Sequence, residues 1–567
     1  MSFAKAYQKA KAQQGETVDL PKTQACETQP EEIPMMYRAQ ISGRCSLQFA
    51  GSQKDRDRWT EELLDPEPGE SQPRHQHSEE IKDVLEEGRF CRLKISFPWR
   101  VFTNCGQDSI ARPVLDIRGI PHIPGSSIKG LFRRGCQQRD RGKPESEKLT
   151  NRYCGDKDNL KPGIDPLRFH GAYPLGDWAG TVEVDATKKH NDTTQTNKPT
   201  YRMVDVVHPQ EDWQIGKPTR KKNASALISL YKPTLVFEIS SSQTLSQEEW
   251  KTIVGILRTA LRRGLGGKTS SGYGLAYQPK NQYDLSAYLT GRGTNPVLLG
   301  KDPEFRPNLF KAALRGHTRR LLAGCSSQVD RLVGELFGST KAPARIEIYW
   351  DGQLPSQSTP TYDIKGTLWM SAPEAKERQL LELVFQFAYT MGGFGKSWRR
   401  VWHEMFYHRG YNKDIGCHWE SDEDWLNEIQ TPEQLTKFLN RVEKVCQQYC
   451  GGNTSQPMDW REAWHRDRVA VYAAVTQQSR AIELFHDETF KTTPAIGGKN
   501  PGDDRPKYVS SVWHRMLPIS DNRYLEIVTV FHGDRSQWYR NGDSQLQSFA
   551  NELAGKNLKR VWGNLHP

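Results

Sequence analysis

The stretch Gly119-Ile-Pro-His-Ile-Pro-Gly-Ser-Ser-Ile-Lys-Gly130, followed by Leu131-Phe-Arg-Arg134, carries the residue types needed to bind an anion. Pro121 and Pro124 make the approach extended, Gly125 relaxes the backbone, and Ser126 and Ser127 are placed to cap a helix beginning at Ile128. A helix start offers backbone N–H groups without intrahelical partners, which suits a phosphate or carboxylate. The Ser126 and Ser127 hydroxyls and the cations Lys129, Arg133 and Arg134 stand beside those groups. A second such element lies far downstream, in Arg262-Arg-Gly-Leu-Gly-Gly-Lys-Thr-Ser-Ser-Gly-Tyr-Gly274, where Lys268, Thr269 and Ser270 sit among five glycines. One helix start alone reads equally well as a capped helix; two basic, amide-rich elements together point to a surface that holds a polyanion by its backbone.

The loop ahead of the first element holds Asp108 and Asp116, and His122 lies inside the element itself. Carboxylates beside a phosphate-binding helix could serve in catalysis, since loops on a rigid scaffold often carry function. Both aspartates read equally as solvated turn residues, and the histidine as one that points into the protein.

These residues need elements to position them. Cys91 to Phe97 alternates Leu93, Ile95 and Phe97 with Arg92, Lys94 and Ser96, the pattern of a strand with one wet face. Strands are expected again at 169–173, 181–185, 226–231 and 234–239, and a helix over 248–262 from the spacing of Ile253, Ile256, Leu257 and Leu261. The polar stretch 188–222 is long for a loop in a compact domain. The order of strand, loop, helix, strands, helix and strand suits a sheet with helices on one side.

A second unit repeats this order in abbreviated form, with helices at 309–322 and 329–337, strands at 344–349 and 362–369, and a helix at 377–389. Aligning the halves sets Lys311-Ala-Ala-Leu-Arg315 against Lys129-Gly-Leu-Phe-Arg133, and Gly392-Gly-Phe-Gly-Lys-Ser-Trp-Arg-Arg400 against the earlier glycine loop. An internal duplication follows. The expected division is a polar arm over 1–34, a first domain over 35–285, and a second, divergent domain over 286–567 with a charged helical insertion at about 411–460. Strands are expected at 469–472 and 524–531 as well.

With 36% apolar and 26% charged residues, the 567-residue chain is a folded protein rather than a disordered one. No run of about 18 apolar residues marks a membrane span, and the polar N-terminal stretch does not read as a signal peptide, so the expectation is a cytoplasmic protein with no membrane partner. A net charge of +11 favours a polyanion partner. The ten cysteines form no CxxC pair; Cys136 and Cys154, like Cys446 and Cys450, read as reduced thiols, and structural zinc is not expected. Neither glycine-rich stretch has the G-x-x-x-x-G-K-[ST] spacing of a nucleotide hydrolase.

The pairing of Pro121-His-Ile-Pro-Gly-Ser-Ser-Ile-Lys-Gly-Leu-Phe-Arg133 with Gly264-Leu-Gly-Gly-Lys-Thr-Ser-Ser-Gly-Tyr-Gly274 resembles the RAMP (repeat-associated mysterious protein) superfamily, and most of all the subunits of type III CRISPR effector complexes. The resemblance covers about 90–280 well and about 295–400 more faintly. It implies an α+β fold of tandem ferredoxin-like (RRM-like) RAMP domains with insertions. It also implies a guide crRNA held along its backbone and presented to target RNA, beside other RAMP-family subunits and the large signalling or polymerase-like subunit of the complex.

Carried over residue by residue, the resemblance gives RNA contacts to Ser126, Ser127, Lys129, Arg133 and Arg134, and to Lys268, Thr269 and Ser270. Lys311, Arg315, Lys396, Ser397 and Arg399 would repeat the role in the second unit. Family members that cut target RNA place an aspartate in the loop before the proline-glycine-serine motif, where Asp108 stands, with Asp116 nearer and His122 as a helper. Mg2+ is the cofactor that such cleavage would use. The stretch Arg202-Met-Val-Asp-Val-Val-His-Pro209 also resembles non-cutting, end-of-filament members, so a guide-holding or capping subunit stays open as the alternative.

Overall fold

The computed structural model describes residues 84–85, 88–103, 110–111, 113–116, 120–139, 144–155, 167–182, 200–207, 225–276, 283–296, 303–339, 342–353, 360–395, 399–400, 416–451, 457–497, 510–520, 522–533, 536–540 and 543–565. The expected arm over 1–34, Asp108, Lys396 and Ser397 lie outside them.

The first unit is built on β1 (Gly88–Ser96), α1 (Gly125–Arg139), α2 (Pro144–Cys154), β2 (Arg168–Leu175), β3 (Thr234–Leu245) and α3 (Gln247–Leu261). β3 lies between β1 and β2 and is antiparallel to both, and the two-residue strand Val84–Leu85 borders β1. Alternation along β1 sets the faces: Cys91, Leu93 and Ile95 are buried, while Arg92 and Lys94 are half-buried on the opposite side. The buried face meets α1 and α3 through Ile128, Phe132, Trp250, Ile253 and Leu257. Burying each such side chain stabilises the fold by about 1.5–3 kcal/mol. Gly135 lets α1 and α3 approach closely, because a Cβ there would sit 3.0 Å from the Ala260 methyl group. At the start of α3 the Ser246 hydroxyl accepts the Glu249 N–H, and the indole of Trp250 donates to the Gly88 carbonyl at 3.1 Å.

The residues expected as one second domain hold two further sheets. The first comprises β4 (Leu285–Thr294), α4 (Leu309–Ala323), α5 (Val329–Phe337), β5 (Glu347–Gly352), β6 (Thr361–Ser371), α6 (Ala375–Phe387) and β7 (Cys417–Glu420). Its strands run β5-β6-β4-β7, all antiparallel, which is the βαββαβ order of a ferredoxin-like sheet. β7 falls within 411–460, expected as a helical insertion; four residues are too short to show a period against their charged neighbours. The rest of that segment supplies α7 (Pro432–Tyr449), capped by a reciprocal Thr431–Gln434 box and burying Leu435, Leu439 and Val442.

The second of these sheets is formed by β8 (Val469–Thr476), β9 (Val512–Pro518), β10 (Tyr524–Phe531), α8 (Leu546–Gly555) and β11 (Lys559–Trp562). Its order, β9-β10-β8-β11, repeats the same pattern, with Arg399–Arg400 added parallel to β9. Both faces are covered. Ala470, Val528 and Val530 pack with Phe549 and Leu553 of α8, whereas Val471, Trp513, Ile527 and Trp562 join one core with α4, α6 and α7. Arg515 fixes this seam: its guanidinium donates to the carbonyls of Trp419 at 2.7 Å and Tyr389 at 3.3 Å. Among the described residues no helix is long and apolar enough to cross a membrane.

Candidate nucleic-acid interface

The element around Gly119–Arg134 is tied to the sheet before its helix begins. Ile123 exchanges backbone hydrogen bonds with Ala172 of β2, at 2.8 and 3.0 Å. α1 starts at Gly125 rather than Ile128, since the Ser127 and Ile128 N–H groups already donate to the Pro124 carbonyl. Only glycine fits at 125, where a Cβ would fall 1.9 Å from the Phe169 carbonyl oxygen. Ser126 and Ser127 therefore occupy the first turn, exposed, with Lys129 half-buried behind them and Arg134 exposed one turn further on. Arg133 serves the fold instead, donating to the Gly155 carbonyl at 2.9 Å and holding the end of α2.

The glycine-rich element follows α3 and is closed by Leu265 N–H donating to the Gly274 carbonyl at 2.8 Å. Gly267 and Gly274 donate to the carbonyls of Phe102 and Arg100, at 2.6 and 2.8 Å, which lays the loop along the residues after β1. Gly266 has φ +83°, and a Cβ there would lie 2.2 Å from the Phe102 oxygen. Lys268, at φ 55°, leads into the single turn Thr269–Ser271 and is exposed, with Thr269 and Ser270 half-buried.

The two elements meet. A cavity of about 200 Å3 is lined by Leu131 and Arg134 of α1, by Arg263, Gly264, Gly266 and Thr269, and by Ser339 and residues 342–344 after α5. Burial lowers the pKa of the Arg134 guanidinium, which stays charged at neutral pH because its ordinary value lies so high. The arrangement offers a cation, a hydroxyl and close backbone approach on facing walls, which is what a phosphodiester requires.

The second unit does not present Lys311 as expected. Its side chain is 1% exposed in the seam between α4 and β5, and burial pushes its pKa down to about 8 against the pull of Glu347. Glu347 also faces Arg262 and Arg263, at 4.0 and 3.6 Å. A lysine enclosed in this way has no surface on which an RNA backbone could lie; the alignment with Lys129 preserved helix position but not the neighbours. Arg315, one turn on, is half-buried, its pKa lowered by burial and by the charge of Arg319. The backbone of Arg399 pairs with β9 at His514.

Of the residues expected in catalysis, Asp116 folds its own loop: its carboxylate accepts the Ile120 N–H at 3.0 Å, and its N–H donates to the Ile120 carbonyl. His122 stacks on Tyr173 with ring centroids 5.2 Å apart, and burial lowers its pKa while the Asp116 charge acts in the opposite direction. Among the described residues no group of three or more His, Cys, Asp or Glu residues could hold a metal ion.

Sequence reasoning missed the residues that join the units. Asp205 receives Arg306 at 2.7 Å and the Tyr273 hydroxyl at 2.8 Å, while Arg100 meets Glu304 at 3.0 Å. Asn308, just before α4, donates to the Ser271 carbonyl at 3.0 Å and so clamps the glycine loop from the other unit. No spacing advertises these partners; a charged residue within the apolar run 203–207 was the one available sign.

Residues 102–277, which span both elements and the strands between them, match the family model described as RAMP superfamily. This segment has a RAMP-superfamily fold. Among solved structures, the chain is similar to one described as a type III-B Cmr-beta complex bound to cognate target RNA, with 20% identity and a TM-score of 0.24 over 34% of this chain and 60% of that chain. It is also similar to Cmr1 from Pyrococcus furiosus, with 14% identity and a TM-score of 0.32 over 49% of this chain and 98% of that chain. A third similarity is to a chain of a type IV-B CRISPR complex, with 15% identity and a TM-score of 0.22 over 35% of this chain and 93% of that chain. Likenesses of this size assign no ligand or role to the residues of the RAMP segment. No curated protein matches the chain.

Proposed function

We propose that this protein holds the backbone of a guide crRNA within a type III CRISPR ribonucleoprotein, beside other RAMP-family subunits and the large signalling or polymerase-like subunit, and presents the guide to target RNA. The observation that carries the reading is the cavity shared by α1 and the glycine-rich loop, with Arg134 and Thr269 on its walls. Contacts of this kind bind phosphate whatever the base, as a guide holder requires. The test is RNA retention by the complex purified with wild-type protein or with Arg134→Ala/Lys268→Ala; equal retention of crRNA by the two would overturn the reading.

A second reading adds cleavage of the paired target at the loop before α1, with Asp108 as the expected catalytic carboxylate. It is favoured by the Asp116 carboxylate lying near enough to His122 for its charge to oppose the lowering of the imidazole pKa by burial. In such a step the ribose 2′-oxygen attacks its own phosphorus and loses its proton to a base, while the bond to the 5′-oxygen breaks and that oxygen takes up a proton. The products are a cyclic 2′,3′-phosphate and a 5′-hydroxyl. Labelled target RNA, incubated in Mg2+ with complexes carrying wild-type protein or Asp108→Ala, separates the two readings. Loss of one product with assembly intact supports cutting; unchanged products leave a guide-holding or capping subunit.

A further inference from the structure

The sheet of β5, β6, β4 and β7 has one face in the core and one in solvent. Ala287, Leu289, Ile364 and Leu368 enter the core with α4 and α6. Alternation turns Tyr288, Thr290 and Arg292 of β4 the other way, where they stand opposite Thr367, Lys365 and Asp363 of β6; Thr290 also stands opposite Glu420 of β7. Tyr288 is 42% exposed, and among the described residues no other large apolar side chain is exposed. Arg292, Asp363, Lys365 and Glu420 are exposed on the same face. Its charge is opposite in sign to that of the chain. Arg292 is matched by Asp363 at 3.2 Å, and Lys365 is outnumbered by Glu420, Asp422 and Glu423. The chain leaving β7 lays these carboxylates beside β4: the Ser421 hydroxyl donates to the Tyr288 carbonyl at 2.6 Å, and Glu423 accepts the Tyr288 N–H at 3.2 Å. The hydrogen bond to His418 holds the Glu420 carboxyl below its ordinary pKa, so it is charged at neutral pH.

We infer that this face docks a protein partner whose contact surface is rich in lysine and arginine. An exposed tyrosine between β-branched neighbours, with charged groups around it, is the arrangement of a protein interface: the ring anchors, and the charged rim selects the partner and its orientation. In a chain of net charge +11 an acidic face is a local departure, and carboxylates there repel the phosphates of RNA. A cationic protein surface meets the same carboxylates with attraction. The inference rests on the reading of the chain as part of a ribonucleoprotein, but the surface shares no residue with the backbone-holding cavity.

The test uses the complex purified through a tag on the full chain and treated with a carbodiimide, which joins a carboxylate directly to an amine in contact with it. Peptides containing Asp363, Glu420 or Asp422 are expected to be joined to lysines of another subunit. Asp363→Lys/Asp422→Lys is expected to release that subunit, and Tyr288→Ala to weaken its retention roughly tenfold, both with the crRNA content of the complex and the thermal midpoint of the chain unchanged. Asp363→Asn/Asp422→Asn, which removes attraction without adding repulsion, is expected to hold the subunit less tightly than wild type and with a weaker dependence on salt. A complex that keeps its crRNA and its neighbours but yields no protein crosslink at this face, or that keeps every subunit in the lysine variant, would overturn the docking and leave guide holding intact. Crosslinking of this face to 4-thiouridine placed in the RNA would overturn it in favour of RNA. A chain that purifies with neither RNA nor protein would overturn both readings.

Discussion

Arg306 and Asp205 lie 2.7 Å apart, with Asp205 wholly enclosed, and join the second unit to the strand layer behind the glycine-rich loop. The pair ties the geometry of the glycine-rich loop to the unit that follows it in the chain, since Tyr273 of that loop donates to the same carboxylate. A buried hydroxyl and a half-buried guanidinium converge on one acceptor, so the acceptor is the residue to remove.

Asp205→Ala is expected to destabilise the protein by about 3–5 kcal/mol, because it removes the shared acceptor of Tyr273 and Arg306 and leaves Arg306 only the longer contact to Glu304. Tyr273→Phe, which removes one hydrogen bond to the same carboxylate, is expected to cost about 1–3 kcal/mol. Urea unfolding of the two variants checks the order; equal effects would show that the ion pair adds nothing beyond the hydroxyl.

Lys311 predicts a pH dependence. Burial lowers its pKa from 10.5 to about 8, so between those values the unfolded chain binds the proton that the folded chain has released. Stability from this group therefore rises with pH across that window and is smallest below it, where the buried ammonium is charged. Lys311→Met is expected to abolish the rise, to leave stability at neutral pH unchanged or higher, and to leave RNA affinity untouched. Denaturation midpoints measured on either side of pH 8 decide it.

Lys268→Ala is expected to weaken RNA binding uniformly across sequences and to reduce the slope of log affinity against log salt by about 1, as one lost phosphate contact should. Gly266→Ala is expected to do more damage, because its Cβ would meet the Phe102 carbonyl at 2.2 Å and displace the whole loop. Filter binding at several salt concentrations distinguishes a lost charge from a lost shape: the glycine variant loses affinity at every concentration.

His122 should titrate below the ordinary histidine value and be neutral at pH 7, since desolvation dominates the opposing charge of Asp116. Asp116→Asn is expected to lower it further. An NMR titration in which the midpoint rises on that substitution would break the link between the two residues and with it the argument for their joint role in cleavage.

The elements were legible where burial and period agree. Tyr524 to Phe531 reads as a strand, and β10 occupies those residues because Leu525 and Ile527 on one side and Val528 and Val530 on the other each have a core to enter. The glycine loop was legible as well, since positive φ at Gly264, Gly266, Gly272 and Gly274 is written in the residue type. Contacts across units were not. Lys129 and Lys311 occupy matching places in their helices, yet one is half-exposed and the other enclosed. That difference comes from Glu347 and Arg263, residues on other elements whose approach no local pattern encodes. Arg133 shows the same limit, as a cation well placed for RNA that instead grips the Gly155 carbonyl.

The shared core of the second and third sheets carries a consequence for biosynthesis. Trp562, on the last strand, stacks on Trp464 at 5.4 Å and belongs to the same cluster as Leu289 on β4. The strands that begin this body emerge from the ribosome long before the one that seals it. Until β11 is released, the apolar side of β8 and the helices beneath it have no final cover, and such surfaces invite aggregation. The first unit can close its own core during translation, whereas the body after it is sealed only when β11 joins.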